Sequence, residues 1–205
     1  GYMFAGWNLR ANGTGNAYTD KQPILNLVMV DGGEITLYAQ WTPITYTVSF
    51  DSGAFNTTGT MESQTFAYNQ TAALNANQFV RDGYLFEGWS TERNDESVMY
   101  RDKASVTNLA DTQDANVTLY AKWSHSKYYV SFHGNGHTSG TMATQEFVYG
   151  ESQDLTKNGF IKTGWNFIGW NTEADGTGDS YTDEETFTNP VVTAGGTIDL
   201  YAQWE

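Results

Sequence analysis

The 205-residue sequence contains no cysteine, which excludes disulfides, thiolate nucleophiles and thiolate metal sites by composition alone. The compartment stays open, because a cysteine-free chain suits the cytosol and equally suits an exported bacterial protein that must hold together without oxidative help. Positive charge is also scarce. Ten Lys and Arg stand against twenty-four Asp and Glu, for a net charge of −14, and the acidic residues form no block. No cluster of Lys and Arg occurs anywhere, so the basic patch that nucleic acid or an anionic membrane requires is missing. No apolar run approaches the roughly 18 residues of a membrane helix, and the amino terminus lacks a signal-peptide pattern. Membrane insertion is therefore not expected, and the chain reads as a fragment of something longer.

What the chain has in quantity is aromatic: thirteen Tyr, eleven Phe and seven Trp. That is too many for a solvated tail, and Gly, Thr and Asn recur at intervals typical of turns between short strands. The composition is that of a β-rich fold.

Self-similarity organises everything else. Leu37-Tyr38-Ala39-Gln40-Trp41 recurs as Leu119-Tyr120-Ala121-Lys122-Trp123 and as Leu200-Tyr201-Ala202-Gln203-Trp204, at spacings of 82 (41 to 123) and 81 (123 to 204). The pairs Gly6-Trp7, Gly88-Trp89 and Gly169-Trp170 keep the same two spacings. Phe50 to Phe132 is 82 but Gly59 to Gly140 is 81, so the one-residue difference lies in the loop after the first strand, where length is easily tolerated. The register divides the chain into a half-repeat over 1–41 and complete repeats over 42–123 and 124–205. Thr42-Pro43-Ile44-Thr45 and Ser124-His125-Ser126-Lys127 are the joints, short and without glycine.

Within a repeat, Tyr46-Thr47-Val48-Ser49-Phe50 and Tyr128-Tyr129-Val130-Ser131-Phe132 alternate large apolar groups as a half-buried strand does. Gln64–Tyr68 and Gln145–Tyr149 alternate likewise and should pair with the opening strand as a long-looped hairpin. Thr71–Phe79 lacks alternation and holds helix formers, which predicts a short helix. A strand then runs into the Gly-Trp pair, and the repeat closes on the Leu-Tyr-Ala-x-Trp strand. Leu, Ala and Trp share one face of that strand, which turns Tyr38, Tyr120 and Tyr201 to the other.

Taken in order, Tyr46–Phe50, Asp82-Gly83-Tyr84-Leu85-Phe86-Glu87-Gly88-Trp89 and Val117–Trp123 resemble the internalin B-type repeat, also called the Listeria/Bacteroides repeat. The likeness covers essentially the whole chain. It implies an α+β, β-rich architecture: tandem small β-grasp-like modules, each a twisted mixed sheet crossed by one short helix. It also implies a place in exported or cell-surface bacterial proteins, some of which are adhesion or invasion proteins, and it supplies no catalytic residues.

Several residues invite chemistry and are better explained by structure. His133 and His137 are four apart, but they flank a Gly-rich loop and no third or fourth ligand is evident. Asn171–Asp179 interleaves oxygen side chains with glycines like a calcium loop, yet its spacing does not match an EF-hand, and Asp-Gly between strands is an ordinary turn signal. Asp20, Asp102 and Asp183 recur where a strand ends, and a carboxylate capping nearby backbone N–H groups accounts for them. No metal, cofactor or catalytic residue is expected. Trp7, Trp89, Trp170, Trp41, Trp123 and Trp204 read as structural anchors, since a repeat of about 80 residues has few other large groups to fill its core. Tyr38, Tyr120 and Tyr201 are the candidate ligand-contact aromatics.

Repetition argues against an enzyme, because an active site is one asymmetric constellation and these repeats differ in length by a single residue. The leading expectation is a spacer and adhesion segment of a bacterial surface protein, meeting an unidentified protein or glycan on a host or neighbouring cell. A carbohydrate-binding array is its rival and a hydrolase fragment a more remote third. The half-repeat lacks the strand that would lie beside its closing strand, which should leave Leu37 and Trp41 unsheltered unless a neighbouring chain or the next repeat covers them. A dimer formed through that edge would be an artefact of a cut inside a repeat.

Overall fold

The computed structural model describes residues 1–188 and 193–205. The half-repeat forms β1 (Tyr2–Asn8), β2 (Ala17–Tyr18) and β3 (Tyr38–Pro43) in the order β2-β1-β3. The first complete repeat holds β4 (Thr45–Asp51), β5 (Thr57–Thr58), β6 (Gln64–Ala67), β7 (Ala72–Ala73), β8 (Val80–Arg81), β9 (Tyr84–Ser90), β10 (Ser105–Val106) and β11 (Asn116–His125). The second holds β12 (Lys127–His133), β13 (Gln145–Val148), β14 (Gln153–Asp154), β15 (Phe167–Asn171), β16 (Ser180–Tyr181), β17 (Thr186–Phe187) and β18 (Thr197–Trp204). Their main sheets run β6-β4-β11-β9 and β13-β12-β18-β15-β16.

The opening strands follow their alternation. Tyr46 and Val48 are buried in β4, as are Tyr128, Val130 and Phe132 in β12. β4 pairs antiparallel with β6 and parallel with β11, and β12 does the same with β13 and β18. The first and last strands of a repeat are thus neighbours. Tyr46 stacks on Phe66 across its hairpin at 5.6 Å, and Tyr128 on Phe147 at 5.2 Å.

The glycine of the Gly-Trp pair has a definite task. In the half-repeat and the last repeat the ladder to the closing strand shifts register at this residue, as at a β-bulge. Gly169 has φ +142°, and a Cβ there would sit 2.7 Å from the Tyr181 carbonyl oxygen. Only glycine lets β15 bend at that point while β16 approaches so closely.

The expected α+β, β-grasp-like module with its short helix is overturned: among the described residues no segment is helical. Over Thr71–Phe79 the backbone donors are taken by distant partners. Ala72–Ala73 pair with Ser105–Val106, and the Leu74 N–H donates to the Ala104 carbonyl at 2.9 Å. The Asn75 N–H donates to Gln64 Oε1 and the Asn77 N–H to Asp102 Oδ1. The last repeat repeats this through Leu155, Thr156 and Asn158, which donate to the Glu185 carbonyl, Gln145 Oε1 and Asp183 Oδ1. One buried leucine per segment and side-chain acceptors from afar outweigh a weak helix preference diluted by Asn and Thr.

The chain divides into two compact units, 1–51 with 60–78 and 89–120, and 52–59 with 79–88 and 121–205. Each unit contains one joint between repeats. A single residue separates the strands there, Ile44 between β3 and β4 and Ser126 between β11 and β12, and both are buried. In the second unit the core gathers Tyr128, Val130, Phe147, Phe187 and Leu200 with Trp170.

Candidate functional surface

The six tryptophans of the Gly-Trp pairs and closing strands divide by the company they keep. Trp89 and Trp170 are fully buried, each with the opening strand's phenylalanine against it: Phe50 and Phe132 lie at 4.9 Å in both cases. Trp7 has no such partner in the half-repeat and is half-buried, with Phe4 at 5.2 Å. The closing tryptophans Trp123 and Trp204 are also half-buried. Their indole N–H groups donate to the Ser52 and Gly134 carbonyls at 2.8 and 3.0 Å, in the loop that follows the opening strand. That loop is absent from the half-repeat, and Trp41 is 59% exposed. Leu37 is half-buried where Leu119 and Leu200 are sealed.

The tyrosines of the closing strand are not equally bare. The Arg93 guanidinium lies 5.1 Å over the Tyr120 ring while bonding Asp51 at 2.7 Å. At the place of Asp51 the last repeat has His133, whose ring stacks on Tyr201 at 4.7 Å and whose Nε2 meets Asp199 at 2.7 Å. Tyr38 carries no such cover and is 41% exposed. The second histidine, His137, packs its ring on Phe160 instead. Among the described residues no three His, Cys, Asp or Glu converge as metal ligands would.

The loop after Trp170 is built around Asn171, the first residue of the stretch that resembles a calcium loop in sequence. Asn171 is fully buried. Its amide donates to the Gly176 and Gly178 carbonyls, and its oxygen accepts from the Glu173 and Gly178 N–H groups. Asn8 does the same in the half-repeat with Gly13, Gly15 and Arg10. The loop carbonyls that a calcium ion would need are therefore turned to a side-chain amide. Asp175 serves the turn itself: the Thr177 hydroxyl and N–H donate to its carboxylate and hold it below the usual carboxylate range. The repeated Gly-Trp-Asn of 6–8 and 169–171 was the signal available in the sequence. Asp102 and Asp183 do accept backbone N–H groups, but from Asn77 and Asn158, each 25 residues earlier, rather than from a local cap.

The most regular polar and aromatic constellation sits at the joints. In the second unit the Ser126 N–H donates to the Gly83 carbonyl at 2.9 Å, and the Tyr149 N–H donates to the Ser126 carbonyl at 2.9 Å. The Tyr84 ring has Arg81 at 3.5 Å, His125 at 4.8 Å and Tyr149 at 5.7 Å. In the first unit Ile44, Gly1, Tyr68 and Tyr2 take the same places, with the two rings 5.6 Å apart and Asn69 Nδ2 donating to the Tyr2 hydroxyl. Both joints thus bond the opening hairpin of one repeat to the start of the Gly-Trp strand of the repeat before it.

An arrangement repeated in this way, down to the residues at its joints, defines a tandem-repeat protein. The chain belongs to the Listeria-Bacteroides repeat domain family, whose model matches residues 1–40, 46–122 and 128–203. It is 31% identical over 209 residues to a protein of Evansella cellulosilytica named "Putative Gly-rich membrane protein", covering 100% of this chain and 22% of that one. A second protein of that organism, "Putative membrane protein", is 31% identical over 176 residues, covering 83% of this chain and 24% of its own length. The chain spans less than a quarter of either relative. Among the described residues no helix is long and apolar enough to cross a membrane.

Proposed function

We propose that the chain is a non-catalytic array of internalin B-type repeats in a bacterial cell-surface or secreted protein, acting as a spacer and in adhesion to a protein or glycan on another cell. The family is one of repeat domains, and two relatives carry membrane-protein names, which supports a surface setting. The observation that carries the spacer role is the joint. One buried residue, two backbone hydrogen bonds and an edge-on tyrosine pair replace the flexible linker that independent binding modules commonly use. Repetition gives reach, and weak contacts on each repeat would sum by avidity.

The carbohydrate-binding reading draws on the exposed aromatics, Tyr38, Trp41 and Trp165, which are 41%, 59% and 52% exposed. A glycan array and a binding assay on host cells, both with the full chain, separate the readings. Cell binding without glycan binding supports adhesion to protein. Glycan binding lost in Tyr38→Ala with an unchanged melting curve supports the carbohydrate array, and silence in both assays leaves the spacer role alone.

A further inference from the structure

The last repeat carries one half of a joint. Gly164 and Trp165 stand 81 residues after Gly83 and Tyr84. Gly164 has φ +82° against +78° at Gly83. Lys162 holds its ammonium 4.4 Å from the centre of the Trp165 ring, as Arg81 holds its guanidinium over Tyr84. The difference is the occupant. A Cβ on Gly83 would fall inside the Tyr149 ring and one on Gly1 inside the Tyr68 ring, whereas a Cβ on Gly164 meets nothing within 4 Å. Gly83 is buried and Gly164 exposed, and Trp165 is left 52% exposed.

We propose that Gly164, Trp165 and Lys162 form the acceptor half of a third joint, and that its occupant is the opening hairpin of a further repeat of this type, presenting the tyrosine found at positions 68 and 149. Twice in this chain a glycine followed by a tyrosine takes that hairpin, at Gly1-Tyr2 and at Gly83-Tyr84. At the second of these the acceptor supplies a left-handed glycine on which a ring can lie without a Cβ between, an aromatic edge beside it, a cation over that aromatic, and a backbone carbonyl for the incoming joint residue, and Gly164, Trp165 and Lys162 match the first three. A sugar ring stacking on Trp165 would also want hydrogen-bonding groups around it. The exposed apolar side chains nearest Trp165 in sequence on either side, Ile161 and Ile168, favour a protein occupant instead. The inference concerns assembly of repeats and holds whatever the chain adheres to.

The test extends the full chain by a second copy of residues 125–205 joined directly after Glu205, with isotope label only in the appended segment. Glu205 occupies the place of Ser124 (124 plus 81), so the fusion reproduces the spacing of the second joint. Amide exchange is read at the appended counterparts of Ser126 and Tyr149. Protection within about tenfold of that at Ser126 and Tyr149 themselves is expected, falling by about a hundredfold in a Gly164→Val variant whose second joint is unaltered. Unprotected amides at both appended positions overturn the proposal, since the appended segment is identical to one that folds behind Ser124. Glycan binding by the 205-residue chain that Trp165→Ala abolishes would also overturn it, by giving Trp165 to a sugar.

Discussion

Tyr84 meets Tyr149 edge-on, ring centroids 5.7 Å apart, although the two belong to successive repeats, and the Tyr149 ring occupies the space in which a side chain on Gly83 would stand. The pair Tyr2 and Tyr68 repeats this at 5.6 Å. Because the joint residues between them are buried and hydrogen-bonded on both sides, the repeats are linked by packed structure as well as by chain.

Gly83 and Gly164 allow a matched comparison. Both have positive φ, so alanine carries a left-handed strain of about 1 to 2 kcal/mol at either. At Gly83 it must also displace the Tyr149 ring, which adds about 1 to 3 kcal/mol of overpacking. Chemical denaturation should place Gly83→Ala clearly below Gly164→Ala; equal losses would mean that the ring moves aside without cost.

Burial ranks the tryptophans. Trp170→Ala should cost about 3 to 5 kcal/mol, and Trp89→Ala the same, because each ring is sealed against a phenylalanine of the opening strand. Trp41→Ala, at an exposed site, should change stability by no more than about 0.5 to 1 kcal/mol. The indole N–H of Trp170 is buried and has no hydrogen-bond partner among the described residues, so Trp170→Phe should be much milder than Trp170→Ala. Thermal melts of the four variants check the order.

Strands were legible in the sequence wherever one face is buried. Tyr46, Val48, Tyr128 and Val130 mark every second residue, and the hairpin strands followed from the same alternation. The segment Thr71–Phe79 was not legible, because its conformation is set by Ala104, Gln64 and Asp102, which meet it only after folding. The repeat register located the joints but not their packing, for a related reason: Ile44 and Ser126 share no chemistry, and what repeats is a glycine and a tyrosine some 66 residues apart (83 to 149). The alternation turned the closing-strand tyrosines away from their Leu, Ala and Trp neighbours, but nothing in the spacing announced Arg93 over Tyr120 or His133 on Tyr201.

Asn171→Ala should cost about 2 to 3 kcal/mol, since one buried side chain satisfies two carbonyls and two N–H groups of its loop. Amide exchange at Gly178 should accelerate with it. Preserved exchange there would show that the loop holds its own shape.

Acid should loosen the same loop at its tip. Thr177 lowers the Asp175 pKa in the folded state, so this contribution is present above the unfolded value and is lost as pH falls through the folded value. A carboxyl titration by NMR should find Asp175 below an ordinary aspartate and returned toward it in Thr177→Val.

The central claim is that successive repeats are energetically coupled at the joint, and a double-mutant cycle on Tyr84→Ala and Tyr149→Ala tests it most directly. With the stability of all four proteins measured by denaturant unfolding, the account predicts a coupling of about 0.5 to 1.5 kcal/mol for this edge-on pair. Additivity within about 0.3 kcal/mol would contradict it, and would make the joint a covalent tether between repeats that merely lie together.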